Sequence, residues 1–330
     1  MKFTKMHGLG NDYLYVFADK DPENPGELSI KLSDRHFGAG SDGMIWILPS
    51  KIADFRMRMF NADGSEGKMC GNGIRCVGKY VYDKGHTDKE EITVETLSGI
   101  KKLKFTIENG KVASVAVDMG KAEVSEKISI NTSYGAVTGY PVSVGNPHYV
   151  IFCGTGAAIE ETNQCKADVC AKNANIACAG SANDFDKACV SEEIKKDIAA
   201  NNVVIAAAEA KVSANNKEEF IDDITLKAIG SEIEHAPEFP EGVNVEFLYK
   251  LGENKFRMRV WERGSGITMA CGTGTCASAA AAACAGTADF EKDVAVDLDG
   301  GTLHIKVATN YEIEMTGPAA FVYDAEVCEE

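Results

Sequence analysis

Apolar residues recur along the chain with two different periods. FRMRMF at 55–60 and FRMRVW at 256–261 alternate apolar and charged positions, which predicts two half-buried strands. Three further stretches, 92–96, 102–107 and 112–118, alternate in the same way. Glu108, Asn109 and Gly110, between the last two, carry hairpin turn chemistry. After Cys70 the period changes: Ile74, Val77 and Val81 recur at helical spacing until Gly85. Residues 276–285 are nearly all alanine and stop at Gly286, which predicts a second helix with a glycine stop. So many small side chains suit a buried central helix that lets backbones approach closely.

These elements come in pairs. The two FRMR strands are offset by 201 residues (55 to 256), and so are Cys70 and Cys271, Gly71 and Gly272, and Gly73 and Gly274. A strand, a loop and a cysteine with one shared offset point to two homologous halves. VAVDMG at 115–120 is echoed by YEIEMTG at 311–317. The expected fold is α+β: two pseudo-symmetric domains, each a curved antiparallel β-sheet or barrel wrapped around a central helix, with the helix starts facing each other at the interdomain cleft. The stretch 153–219 lies outside the repeat. It is rich in Ala, Asn, Lys and Glu, holds five of the eleven cysteines and carries an expected helix at 192–200. With no C-x-x-C pair, it is read as an inserted surface element rather than a zinc site.

Composition narrows the setting. At 330 residues the chain has room for two domains, and 45% hydrophobic with 25% charged residues is ordinary for a globular protein. A formal charge of −16 argues against nucleic acid or an anionic membrane as partner. No apolar run approaches the length of a membrane span, and MKFTKMHGLGNDY at the start does not read as a signal peptide. A cytoplasmic location is expected, with the cysteines as thiols.

The chemistry follows from where two of those thiols fall. The first N–H groups of a helix lack internal partners and carry the positive end of its dipole, and glycines there let a carboxylate approach. A cysteine in the same place has its thiolate favoured, so its pKa is expected to fall. A carboxylate held between two such helix starts has its α-carbon flanked by two sulfurs. One thiolate takes the α-proton, the opposite thiol supplies another, and the centre inverts. The N–H donors stabilise the enediolate charge that develops. Cys76, Cys276 and Cys284, lacking the repeat and glycine context, are assigned to packing as small hydrophobes.

Seven blocks together resemble diaminopimelate epimerases in order and spacing: MHGLGNDY at 6–13, FNADGSE at 60–66, CGNGIRC at 70–76, GNPH at 145–148, FPEGVN at 239–244, ERGSG at 262–266 and ACGTGTC at 270–276. The resemblance runs to the MTG at 315–317, interrupted by 153–219. It implies a cofactor-independent enzyme, with no metal, that interconverts LL- and meso-diaminopimelate on the way to lysine and peptidoglycan. Cys70 and Cys271 would be the acid/base pair. The backbone of Gly71, Asn72, Gly272 and Thr273 would hold the reacting carboxylate. Asn11, Asn61, Asn146 and Asn244 would bind the substrate's polar groups, and Arg263 its distal carboxylate. Glu262 would face a substrate amine and, with His148, set the thiol pKa values. Where the family sometimes has glutamine, Gly43 stands here, so no side-chain contact is expected from it.

On this resemblance the first half spans 1–123, with a C-terminal strand at about 318–330 returning to it, and the second spans 124–317. The protein is expected to be a homodimer acting on a small molecule. Two alternatives stay open. A proline or hydroxyproline racemase shares the two-thiol architecture, but resembles Met-Cys-Gly-His-Gly at the first motif, where Asn72 stands here. A thiol-redox or metal-binding module would account for many cysteines but calls for close pairs.

Overall fold

A computed structural model describes residues 1–154 and 220–327. The helix expected at 192–200 and Cys165, Cys170, Cys178, Cys189 and Cys328 lie outside them. The first half runs β1 (Lys2–Gly8), β2 (Asn11–Phe17), α1 (Pro25–Ser33), β3 (Gly43–Leu48), β4 (Phe55–Asn61), β5 (Glu66–Gly67), α2 (Gly71–Asp83), β6 (Glu91–Thr96), β7 (Gly99–Glu108) and β8 (Lys111–Lys121). The second opens with β9 (Glu123–Val124), β10 (Ile128–Thr132) and β11 (Gly135–Ser143). It then repeats the order of the first as β12 (Pro147–Cys153), α3 (Asp223–Glu234), β13 (Asn244–Gly252), β14 (Lys255–Glu262), β15 (Gly266–Ile267), α4 (Gly272–Cys284), β16 (Asp293–Leu298), β17 (Gly301–Val307) and β18 (Glu312–Gly317). The last strand, β19 (Ala320–Glu326), pairs with β1.

The α+β fold and its pseudo-symmetry are as the repeat predicts, with one refinement. The sheets are mixed: β2–β3, β4–β6, β12–β13 and β14–β16 are parallel pairs within otherwise antiparallel ladders. Strand β3 shows why the pattern hid this. GMIWIL is buried at every position, so no polar face marks it as a strand. The hairpin expected at Asn109 and Gly110 forms, both residues taking the positive φ (51° and 73°) that a tight β7–β8 turn requires. The two halves join where β8 pairs antiparallel with β18, Val117 opposite Met315.

Each half wraps its sheet around one helix. On α2, Ile74, Cys76, Val77 and Val81 are fully buried in a core with Tyr15, Phe105, Val115 and Val117. Burial of each such aliphatic side chain contributes about 1.5–3 kcal/mol. On α4 the buried residues are small, Ala277 and Ala279 through Ala283, so the surrounding strands close more tightly round it. Both helices stop as predicted, with Gly85 (φ 78°) and Gly286 (φ 69°) following the C-cap. One packing expectation fails: Cys76 and Cys276 are buried but Cys284 is exposed, because the last turn of α4 leaves the barrel there.

Candidate active site

Cys70 and Cys271 are the N-caps of α2 and α4. Each has extended backbone (φ −125° and −115°), and each sulfur accepts a 3.3 Å hydrogen bond from the N–H three residues on, Gly73 or Gly274. Serine and aspartate usually do this work; here a thiol does. The helices meet N-terminus to N-terminus. A Cβ on Gly272 would lie 3.5 Å from the Gly71 Cα and 3.3 Å from Met315 Sδ, so the two glycines let the helix starts pack backbone against backbone. The first turns of the two helices, each capped by a sulfur, therefore come together.

The surroundings of the two thiols differ. Cys70 donates to Asn11 Oδ1 at 3.2 Å, and Asn11 Nδ2 is held by Asp42 at 2.7 Å. Asp42 and Asp12 share Arg35, and Asp12 also pairs with Lys5, so Asn11 is fixed by an ion network at the start of β2. Asn72 Nδ2 crosses to Ala270 O in the other half at 3.0 Å. Beneath it lies Arg75, fully buried. It donates to Gly71 O, Asn72 Oδ1 and Pro318 O at 3.0, 2.8 and 3.2 Å, and no carboxylate pairs with it among the described residues.

Around Cys271, a hydrogen-bonded chain reaches to Glu246. Thr273 Oγ1 lies 3.6 Å from the sulfur and accepts from Asn146 Nδ2 at 3.3 Å. Asn146 Oδ1 faces His148 Nε2 at 3.1 Å, and His148 Nδ1 faces Glu246 Oε1 at 2.7 Å. Asn244, paired with His148 in the β12–β13 ladder, donates to Pro147 O and accepts from the Arg263 backbone. The exposed Arg263 guanidinium rests on Glu241 O at 2.8 Å. Glu262 is bonded to Thr268 and lies against Cys271. Asn61 stands apart at the end of β4, bonded to Ser65 and tied through Ala62 to Asp42 rather than to either sulfur.

Burial decides the electrostatics. Desolvation pushes Cys70 up, against the pull of the Gly73 and Asn72 N–H groups and the Arg75 cation. Cys271 is held well above the ordinary thiol range, by burial first and then by the Glu262 and Glu246 carboxylates. The expectation that helix N–H groups lower both thiols is therefore overturned. Two or three dipoles do not offset the loss of water around a buried anion. Glu262 is itself raised, mainly by burial.

Glu246 and Arg75 escaped sequence reading. Each left a trace: Glu246 interrupts the apolar run VNVEFL, and Arg75 sits within a helix whose other inward positions are apolar.

A mixed, pseudo-twofold α+β fold with two glycine-flanked thiols capping opposed helices goes with an enzyme of the isomerase class. The chain belongs to the diaminopimelate epimerase family, whose sequence profile matches residues 3–125 and 196–322. The diaminopimelate epimerase of Acetivibrio thermocellus is 40% identical over 99% of this chain and 98% of its own length. That of Methanococcus maripaludis is 43% identical over 99% of both. A phenazine biosynthesis protein of the PhzF family from Bacillus anthracis shares the fold with a TM-score of 0.66, over 100% of this chain and 99% of its own, at only 14% identity.

Proposed function

We propose that the protein epimerises LL-2,6-diaminopimelate to the meso form by two-base proton transfer between Cys70 and Cys271. The observation that carries this is the opposition of two thiol-capped helix starts across the Gly71–Gly272 contact. The α-carboxylate sits on the N–H groups of Gly71, Asn72, Gly272 and Thr273. One thiolate removes the α-proton, and the electron pair passes into the carboxylate as an enediolate, stabilised by those N–H dipoles. The opposite thiol then delivers its proton to the other face. The thiols have exchanged roles, the centre is inverted, and neither atoms nor electrons are gained or lost.

At the distal end, Arg263 suits a bidentate carboxylate and Glu262 a substrate ammonium. Asn11, Asn61, Asn146 and Asn244 take the remaining polar groups. Proline would leave Glu262 and Arg263 without a distal ammonium and carboxylate, so nothing favours that reading. The chain is read as two halves, 1–123 with the final strand and 124–317 with an insert at 153–219; the β19–β1 pairing supports the return of the C-terminus. A cytoplasmic homodimer is the expected assembly, and the six described cysteines being thiols fits a reducing setting. Among the described residues no helix is long and apolar enough to cross a membrane.

The test is incubation of LL-diaminopimelate with the enzyme in D2O, followed by mass and chiral analysis. Deuterium at the α-carbon and meso product are expected, with both lost in Cys70→Ala and Cys271→Ala or exchange confined to one face. Wild-type enzyme giving neither product sinks the proposal.

A further inference from the structure

The 201-residue repeat lets the environment of each thiol be compared position by position. Behind the first turn of α2, Gly73 faces Ile45: a Cβ on the glycine would lie 2.6 Å from Ile45 Cδ1. Behind the first turn of α4, the equivalent Gly274 faces Glu246. There a Cβ would lie 2.5 Å from Glu246 Oε1 and 3.1 Å from Cys271 Sγ. Sharing that point, the carboxylate oxygen and the sulfur are no more than 5.6 Å apart (2.5 plus 3.1 Å).

Ladder register extends the comparison. Leu14 pairs with Met44 and Tyr149 with Val245, so Tyr13 and His148, one residue earlier, occupy equivalent places. Arg75 has Cys276 as its counterpart. Tyr13, Ile45 and Arg75 of the first half therefore hold the places that His148, Glu246 and Cys276 hold in the second.

Glu246 is an expensive residue to keep there. It is fully buried, His148 holds one of its oxygens, and Oε2 has no hydrogen-bond partner among the described residues. A buried carboxylate so poorly satisfied costs stability, and packing gives no reason for it when isoleucine fills the equivalent place.

We propose that Glu246 is a positioning residue that makes the two thiols unequal: anchored by His148 behind the first turn of α4, its carboxylate repels negative charge from Cys271, so the resting site carries its thiolate on Cys70 and its proton on Cys271. This rests on the reading of these cysteines as the acid–base pair. Every element around them contributes. Glu246 from β13 and Glu262 from β14 push against a charge on Cys271, while the Gly274 N–H and the Thr273 hydroxyl of α4 favour one. His148 from β12 bonds to the carboxylate and to Asn146, with Asn146 and Thr273 standing between its ring and the sulfur. Facing Cys70 are Tyr13 from β2, Glu262, and Arg75 of α2, which alone among them is a cation. Both differences act in one direction. A thiolate is easier to hold on Cys70.

The experiment is pulsed alkylation with iodoacetamide from pH 6 to 10, with the peptides carrying Cys70 and Cys271 quantified separately by mass spectrometry. In the wild type, Cys70 reacts at lower pH than Cys271. Glu246→Gln keeps an acceptor for His148 Nδ1 but removes the charge. A unit charge at this distance moves a titration midpoint by roughly two pH units at an effective dielectric of about 20. The Cys271 midpoint is therefore expected to fall by about that much, with Cys271 labelling near pH 8 rising at least about tenfold and Cys70 unmoved. Glu246→Ile, which copies the residue at position 45, is expected to do the same, with circular dichroism melts confirming that both variants fold. An unchanged Cys271 midpoint overturns the proposal, as does an equal shift of both thiols or failure of both variants to fold. If instead Cys70→Ala still epimerises, the acid–base pair itself is misassigned, whatever Glu246→Gln does.

Discussion

Arg75 is the side chain whose loss should be felt most widely. Its guanidinium is fully buried and spends its donors on Gly71 O, Asn72 Oδ1 and Pro318 O, tying the first turn of α2 to the loop that leads into β19. Two glycines make room for it: a Cβ on Gly8 would lie 3.1 Å from Nη2, and one on Gly317 3.1 Å from Nε. Arg75→Met keeps much of the volume but leaves the buried Asn72 Oδ1 without this donor, at a cost of about 1–3 kcal/mol, and takes one donor each from Pro318 O and from Gly71 O, which keeps its helical N–H. Relief from burying a cation offsets part of this, because hydrophobic replacement of buried charge can be neutral when all partners are replaced together. Here the oxygens stay behind, so a net loss of about 2–4 kcal/mol is expected in urea unfolding followed by circular dichroism. The same substitution removes the cation that favours a Cys70 thiolate, so the alkylation midpoint of Cys70 should rise. Arg75→Lys separates the two effects, retaining charge but not the three-way geometry. It should recover Cys70 reactivity better than stability. A loss below about 1 kcal/mol for Arg75→Met would show that Asn72 Oδ1 and Pro318 O find other partners, and would refute the reasoning.

Two further outcomes test the fold around the site. Leu9, in the β1–β2 turn with φ 56°, sits with its backbone oxygen against Gly300 of the other half, so Gly300→Ala should cost about 1–3 kcal/mol and lower kcat/KM; wild-type unfolding and kinetics would show that this clasp is dispensable. Burial pushes Cys76 up to about 11 and Cys276 to about 12, whereas unfolded thiols titrate near 8.5. The folded state thus binds more protons above that pH. Their contribution is fully present below about pH 8.5 and is lost towards pH 11–12, at up to about 1.4 kcal/mol per pH unit for each thiol. Urea midpoints measured at pH 8.5, 9.5 and 10.5 should fall accordingly, with a shallower slope in Cys276→Ala; equal slopes would contradict this.

Some parts of this protein were legible from local pattern because the forces that make them are local. The alternation at 55–60 and 256–261, the helical spacing after Cys70 and the glycine stops at 85 and 286 each correspond to an element in place. The repeat was visible because both halves solve one packing problem with similar residues. Strand β3 was not legible, since burial on both faces erases the alternation that marks a strand. Cys284 was misread because its neighbours in sequence are apolar while its place at the end of α4 is open to solvent.

What the sequence determined by itself was the symmetric part: two halves, two capped helices and two thiols beside glycines. Spacing and residue type suffice for that, because a cap and a turn are built from neighbours in the chain. Only the tertiary structure decided how the two thiols differ. Glu246 reaches Cys271 from a strand 25 residues earlier in the chain (246 to 271), and Glu262 faces both sulfurs. Whether a thiol ionises depends on how much water burial removes and on which charges the fold brings within a few ångströms, and neither is written in any local stretch.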